Sequence, residues 1–154
     1  MQDETNCLLR EIGFAVIHFR EVYRRWCRSR GINYHEMLIF YTIRDMGECT
    51  QKDICDCYAL PKQTVNNIVS SLKNRGLLIL KTGRDDHKKR YLHLTEAGKV
   101  YSEKIMTPLL EQEFAAVAGM GPENLQEAIR LLHSYTAKLN AAMFPGQEWK
   151  NEDH

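Results

Sequence analysis

Residues 60–95 constrain this chain more than any other stretch. Within 61–75, Val65, Ile68, Val69 and Leu72 recur at i, i+3, i+4 and i+7, the spacing of one buried helical stripe. The opposite face carries Lys62, Gln63, Asn66, Asn67 and Ser70, and the segment contains no acid. Most solvent-facing helices of this length carry Glu or Asp, so this polarity is of an unusual kind. Gly76 follows as a helix terminator. Two apolar runs, 77–80 and 91–94, then flank the basic sequence Gly-Arg-Asp-Asp-His-Lys-Lys-Arg, the pattern of a hairpin with a charged tip.

The residues upstream set this helix in context. Asn33-Tyr-His-Glu36 has the form of a capping box, Asn33 as N-cap and Glu36 reaching back, and opens a helix to about Met46. Thr50-Gln-Lys-Asp53 is a second cap, for a short helix over 51–57. Tyr58-Ala-Leu then turns into Pro61, which suits a first helical position because it lacks an N–H. A short helix, a tight turn and a longer helix follow one another in helix-turn-helix order. With the hairpin added, residues 33–95 predict a winged helix-turn-helix lobe, the 61–75 helix being its recognition helix and the hairpin its wing.

Helical periodicity also covers the ends of the chain. Leu8, Ile12, Ala15, Val16, Phe19, Val22, Tyr23 and Trp26 form one face over 7–28. Thr95-Glu-Ala-Gly begins another helix, to about Ala118, and Pro108 should kink or split it. Gly121 caps a last helix to about Met143, which would bury Leu125, Ile129, Leu132, Tyr135 and Leu139. The fold class is thus mainly α with a small β-hairpin wing. Residues 1–32 and 96–144 form a helical dimerisation region, 33–95 the DNA-binding lobe and 145–154 a flexible tail. The surplus helices either fold back on the lobe or pack against the same helices of a second copy. A two-fold arrangement suits a duplex, whose half-sites lie one helical turn apart.

Charge points the same way. Formal net charge is only +1, but residues 52–93 hold nine Lys/Arg against four Asp/Glu, whereas 94–154 hold five against nine. A basic middle and an acidic C-terminal part fit a chain in which one region meets phosphate, with chance segregation of surface charge as the alternative. Asn and Gln pair donor with acceptor as adenine does in the major groove, and Lys reaches guanine or phosphate. The predicted base-facing and phosphate-facing set is therefore Lys62, Gln63, Thr64, Asn66, Asn67 and Ser70. The hairpin adds Arg84, Asp86, Lys88, Lys89 and Arg90, which either reach backbone or minor groove or form an ordinary charged tip.

Other classes find less support. The 44% hydrophobic content excludes disorder as the main state. No apolar run approaches the length of a membrane span, and the acidic, polar N-terminus is no signal peptide, which predicts a cytoplasmic protein. There the five cysteines stay reduced, and Cys55-Asp-Cys57 lacks zinc-site spacing. No glycine-rich phosphate loop, H-E-x-x-H or G-x-S-x-G motif is present, so no enzyme and no cofactor is predicted. A winged helix used only for protein–protein contact would show acids or large apolar side chains on its recognition face, and this one shows neither.

The chain resembles the MarR family of bacterial transcription regulators. The resemblance rests on Leu72-Lys-Asn-Arg-Gly76-Leu-Leu, Asp86-His-Lys88 and Leu92-His-Leu94-Thr95-Glu-Ala-Gly98, matching that family's helix end, D-x-R wing tip and L-x-L-T-x-x-G junction. It covers about residues 7–143. It implies a homodimer with interlocked terminal helices, bound to a pseudo-palindromic operator, usually as a repressor. Lys88 departs from the family's wing arginine, and a lysine lacks the planar fork of an arginine. Arg84 or Arg90 is available to take its place.

Family members answer to phenolic or other small molecules, oxidants or metals. Tyr23, Trp26, Tyr34, Phe40 and Tyr41 are candidates to line an effector pocket, with ordinary core packing the alternative. Cys7 resembles in position the sensing cysteine of the organic-peroxide branch, with Tyr23 a hydroxyl nearby across the dimer, although an inert cysteine would look the same. His18, His35 and Glu36 have no diagnostic ligand spacing, and no metal site is predicted.

Overall fold

A computed structural model describes residues 2–83 and 88–147. Six helices and three short strands follow in the order α1 (Gln2–Ser29), α2 (Tyr34–Met46), β1 (Cys49–Thr50), α3 (Gln51–Tyr58), α4 (Lys62–Asn74), β2 (Leu78–Thr82), β3 (Arg90–Leu94), α5 (Glu96–Met120) and α6 (Pro122–Met143). The molecule divides into two compact units, Met1–Pro108 and Leu109–His154, with the boundary inside α5. The fold is that of a mainly helical winged-helix protein with one small antiparallel sheet.

Local chemistry explains most of the boundaries. Asn33 caps α2, its Oδ1 accepting from His35 N at 2.9 Å and Glu36 N at 3.2 Å. The reciprocal half of the expected box is absent, because the Glu36 side chain bonds Arg75 instead. Thr50 and Asp53 do form a full capping box: Asp53 N donates to Thr50 Oγ1 and Thr50 N to Asp53 Oδ2. Pro61 stands one residue earlier than expected, as the N-cap, because its ψ of 136 is extended. Gly76, at φ 69, ends α4 in a Schellman arrangement with Gly76 N donating to Lys73 O and Leu77 N to Leu72 O.

The first unit has an apolar core. Met37, Ile39 and Phe40 of α2, Ile54 of α3, Val65, Val69 and Leu72 of α4, Leu78 of β2 and Leu92 of β3 are all at most 2% exposed. Removing one such side chain from water contributes roughly 1.5–3 kcal/mol. The stripe read from 61–75 is therefore the buried face of α4, with Ile68 at its half-buried edge.

The sheet holds a strand that periodicity did not suggest. β3 lies in the middle, pairing antiparallel with β2 (Leu80↔Leu92) and with β1 (Cys49↔Leu92, Thr50↔Tyr91). Two residues are too few to display an alternation, so β1 is visible only once its partner is in place.

α1 begins five residues earlier than the apolar pattern suggested, and of its residues only Cys27 is buried. Its apolar face is open within the chain, with Leu8, Phe19 and Val22 each more than 60% exposed. Of the two outcomes expected at Pro108, a kink or a split, the split does not occur, and α5 continues through it as one helix. In the second unit α6 buries no residue: Ile129, Leu132 and Leu139 are exposed, and Leu125 and Tyr135 half-buried. Gly121 caps α6 as expected. Residues 145–147 form a turn whose Gln147 carbonyl accepts from Asn140 Nδ2 at 2.8 Å, and the rest of the expected tail lies outside the described residues.

Candidate nucleic-acid interface

The interface candidates sit on two elements whose placement follows from the core. With Val65, Val69 and Leu72 turned inward, helical geometry turns Gln63, Asn67 and Ser70 outward, and all three are exposed, as is Lys62, the first residue of the helix. Thr64 and Asn66 lie at the shoulders of this face and are half-buried. Gln63 Nε2 donates to Asn67 Oδ1 at 2.7 Å, ordering two amides one turn apart. Gln63 Oε1, an acceptor, and Asn67 Nδ2, a donor, stay outside that bond, a pairing complementary to the N6 and N7 edge of adenine.

The wing continues the β2–β3 hairpin, with Gly83 N donating to Lys89 O at 3.1 Å. Lys88, Lys89 and Arg90 are exposed at its end, and Arg90 Nη1 bonds Thr82 Oγ1 across the hairpin. Arg84 and Asp86 lie outside the described residues. At the base of the wing a cavity of about 360 Å³ is lined by Thr50, Gln51, Lys52, Asp53, Lys89, Arg90 and Tyr91. Sequence reasoning did not single out Gln51 or Lys52. The capping box located the start of α3, but only the β1–β3 pairing brings it beside Lys89 and Arg90.

The aromatic candidates separate. Phe40 is fully buried in the core and packs edge-on against Tyr101, ring centroids 5.8 Å apart. Tyr34 lies beneath the Arg24 guanidinium at 4.7 Å and meets His35 edge-on. Trp26 lies beneath Arg30 at 4.4 Å, with its buried Nε1 lacking a partner among the described residues. Tyr23 packs edge-on against Phe19, and Tyr41 is half-buried. None of the five lines the cavity at the wing base.

The titratable groups are equally dispersed. Burial, reinforced by Arg24 and Arg20, holds His35 below its ordinary value of 6.5. His18 stacks on Phe14, and Glu36 is committed to Arg75. Among the described residues no three His, Cys, Asp or Glu side chains gather as a metal-holding group. Cys7 is exposed, with Arg10 Nη2 at 3.6 Å from its sulfur. Cys49 is wholly buried, and burial, with smaller contributions from Asp53 and Cys57, pushes its thiol up to about 12. Among the described residues no helix is long and apolar enough to cross a membrane.

A short capped helix, a turn, an acid-free polar-faced helix and a basic hairpin define a winged helix-turn-helix protein, a fold whose polar helix and wing suit a duplex. Residues 30–90 match the sequence profile of the MarR family. Across 89 residues the chain is 29% identical to the HTH-type transcriptional regulator PetP of Rhodobacter capsulatus, covering 58% of this chain and 53% of that protein, so the match spans about half of PetP. The solved structure of NMB1585, a MarR family regulator from Neisseria meningitidis, superimposes with a TM-score of 0.79 at 27% identity, covering 90% of this chain and 98% of that one. BpsR of Bordetella bronchiseptica, whose DNA binding is regulated by 6-hydroxynicotinic acid, shares the fold at a TM-score of 0.61 and 22% identity, covering 81% of this chain and 89% of that one.

Proposed function

We propose that this protein is a sequence-specific, non-enzymatic DNA-binding regulator, acting in the cytoplasm as a homodimeric repressor released by a small-molecule signal. The observation that carries the reading is the α4 outer face: an acid-free surface whose Gln63 and Asn67 amides are ordered by a 2.7 Å bond and present a donor and an acceptor outward. In this reading Gln63, Asn66 and Asn67 read base edges, with Lys62, Thr64 and Ser70 at bases or phosphate. Lys88, Lys89 and Arg90 hold the backbone or minor groove beside them, along with Arg84 and Asp86 of the wing tip. Base contacts supply preference and phosphate contacts supply salt-dependent affinity.

Dimerisation is supported by the open apolar faces of α1 and α6, which expose more large side chains than a monomer ordinarily leaves in water. A pseudo-palindromic operator follows from a two-fold protein. An aromatic acid is the effector class suggested by BpsR. The Arg24–Tyr34 and Arg30–Trp26 stacks provide cations over aromatic faces near which such an anion could bind. Redox control through Cys7 is a second reading, favoured by its exposure and by Arg10 beside the sulfur.

Binding to a duplex from the protein's own promoter region and to a random duplex, each across a salt series, tests the function. Asn66→Ala should lose preference between the two duplexes. Lys88→Ala should weaken binding to both and flatten the salt slope by about one unit. Equal micromolar binding of the wild type to both duplexes would refute sequence-specific regulation. Repeating the titration with 6-hydroxynicotinic acid, and separately with peroxide, distinguishes the two signals.

A further inference from the structure

The reading of α4 as the base-contacting helix raises the question of what sets its angle. Most of what holds α4 to the lobe is apolar. Val65, Val69 and Leu72 contribute much of its attachment, but hydrophobic contact is non-directional and leaves the helix free to roll or slide by fractions of an ångström. At the N-terminal end Pro61 makes no side-chain capping bond, and the hydrogen bonds there are those of the backbone, Thr64 N and Val65 N donating to Pro61 O. The C-terminal end is different.

Arg75 is the C-cap of α4, and its guanidinium is engaged by two other helices. Nη1 donates to Glu36 Oε1 at 2.7 Å, and the Glu36 side chain, on the first turn of α2, is only 8% exposed. The guanidinium carbon lies 4.9 Å from the centroid of the Tyr101 ring on α5. Hydrogen bonding to Tyr101 and then to Glu36 raises the Arg75 pKa. Tyr101 is itself braced edge-on by the fully buried Phe40 of α2. One planar, charged group therefore ties the end of α4 to α2 and α5 with directional contacts, which Val65, Val69 and Leu72 cannot supply.

We propose that Arg75 is a positioning residue for DNA reading: held by Glu36 and by the ring of Tyr101, it fixes the height and angle at which Gln63, Asn66 and Asn67 meet base edges. It acts through α4 and not by touching the duplex. The inference rests on the reading that α4 contacts bases. Hydrogen bonds to base edges need donor and acceptor within about 2.7–3.2 Å, so a small tilt of α4 removes them. Long lysine side chains on phosphates tolerate the same tilt. Loss of Arg75 should therefore cost preference before it costs non-specific affinity.

The test measures the ratio of affinities for the own-promoter duplex and a random duplex, together with melting temperature, in wild type, Arg75→Lys, Arg75→Met and the double variant Glu36→Met/Arg75→Met. Arg75→Met should lower the ratio by about tenfold, the loss of one good base contact, with random-duplex affinity and its salt slope unchanged. Arg75→Lys keeps the charge without the planar fork and should recover part of the ratio. The double variant removes the buried carboxylate along with its partner, so it should regain thermal stability without regaining the ratio. This also covers the case in which Arg75→Met alone fails to fold. If the stable double variant, or Arg75→Met itself, prefers the promoter duplex as strongly as wild type, the pair is merely structural and the proposal is overturned. A wild type without any preference would instead refute the reading of α4, and the role of Arg75 with it.

Discussion

Replacing Gly98 by alanine should loosen the junction between the wing sheet and α5. A Cβ at this position would lie 1.8 Å from the Leu77 carbonyl oxygen and 2.8 Å from its carbon, where real Cβ contacts essentially never fall below 3.0 Å. Leu77 or the first turn of α5 must then move by at least 1.2 Å, the difference between those two distances. That carbonyl accepts from Thr95 N at 3.1 Å, while Thr95 Oγ1 donates to Gly76 O at 2.7 Å and accepts from Gly98 N at 2.9 Å. A shift of this size breaks about two of these bonds, at about 1 kcal/mol each, and overpacking adds about 2 kcal/mol. The better helix propensity of alanine returns about 1 kcal/mol, so the net loss is about 3 kcal/mol. A chain of this length should melt roughly 10 °C lower. Urea titration at one fixed protein concentration reads the change without confusing it with assembly. Gly119→Ala is the control: it is also helical, has nothing within 4 Å of the added carbon, and should gain about 0.5–1 kcal/mol. A Gly98→Ala protein within about 0.5 kcal/mol of wild type would refute the steric argument.

Three further outcomes follow from the same geometry. Thr50→Ala removes the capping box of α3 and should cost about 1 kcal/mol in urea titration, while no loss would mean that the β1–β3 pairing alone holds this end. His35 is held below 6.5 by burial, Arg24 and Arg20, so the unfolded chain takes up its proton first on acidification. Stability should fall as pH drops from 6.5 towards the folded-state value and then level off, and His35→Gln should flatten that slope in melting curves taken between pH 7 and pH 5. Cys27 and Cys49 are buried, with both thiols raised, Cys49 to about 12. Under native conditions at pH 7.5 iodoacetamide should leave both unmodified until urea unfolds the chain, as peptide mass mapping would show.

The departures from expectation share a physical form. Asn33 and Glu36 have the residue types of a capping box, and the Asn33 half forms as its three-residue spacing demands. Glu36 had a competitor 39 positions away, and a guanidinium at 2.7 Å is a stronger partner for a carboxylate than one backbone N–H. The cavity beside Lys89 and Arg90 escaped notice for a related reason, since two of its lining residues reach it through a two-residue strand too short to show a period. The open faces of α1 and α6 are a different case. A stripe of apolar residues says that a helix has a neighbour, and nothing about whether that neighbour is in the same chain.

What this sequence determined by itself is whatever arises within four residues or one helical turn. The Thr50–Asp53 cap, the glycine end of α4 at Gly76, the inward Val65–Val69–Leu72 stripe and the acid-free outward face all belong there, because helix geometry and backbone hydrogen bonding act at that range. Tertiary structure alone decided which distant groups meet: Arg75 with Glu36 and Tyr101, Cys49 with Leu92, and Gly98 against the carbonyl of Leu77. Those pairings depend on the path of the whole backbone, and a residue's chemistry names the kinds of partner it will accept without saying which one the chain will bring.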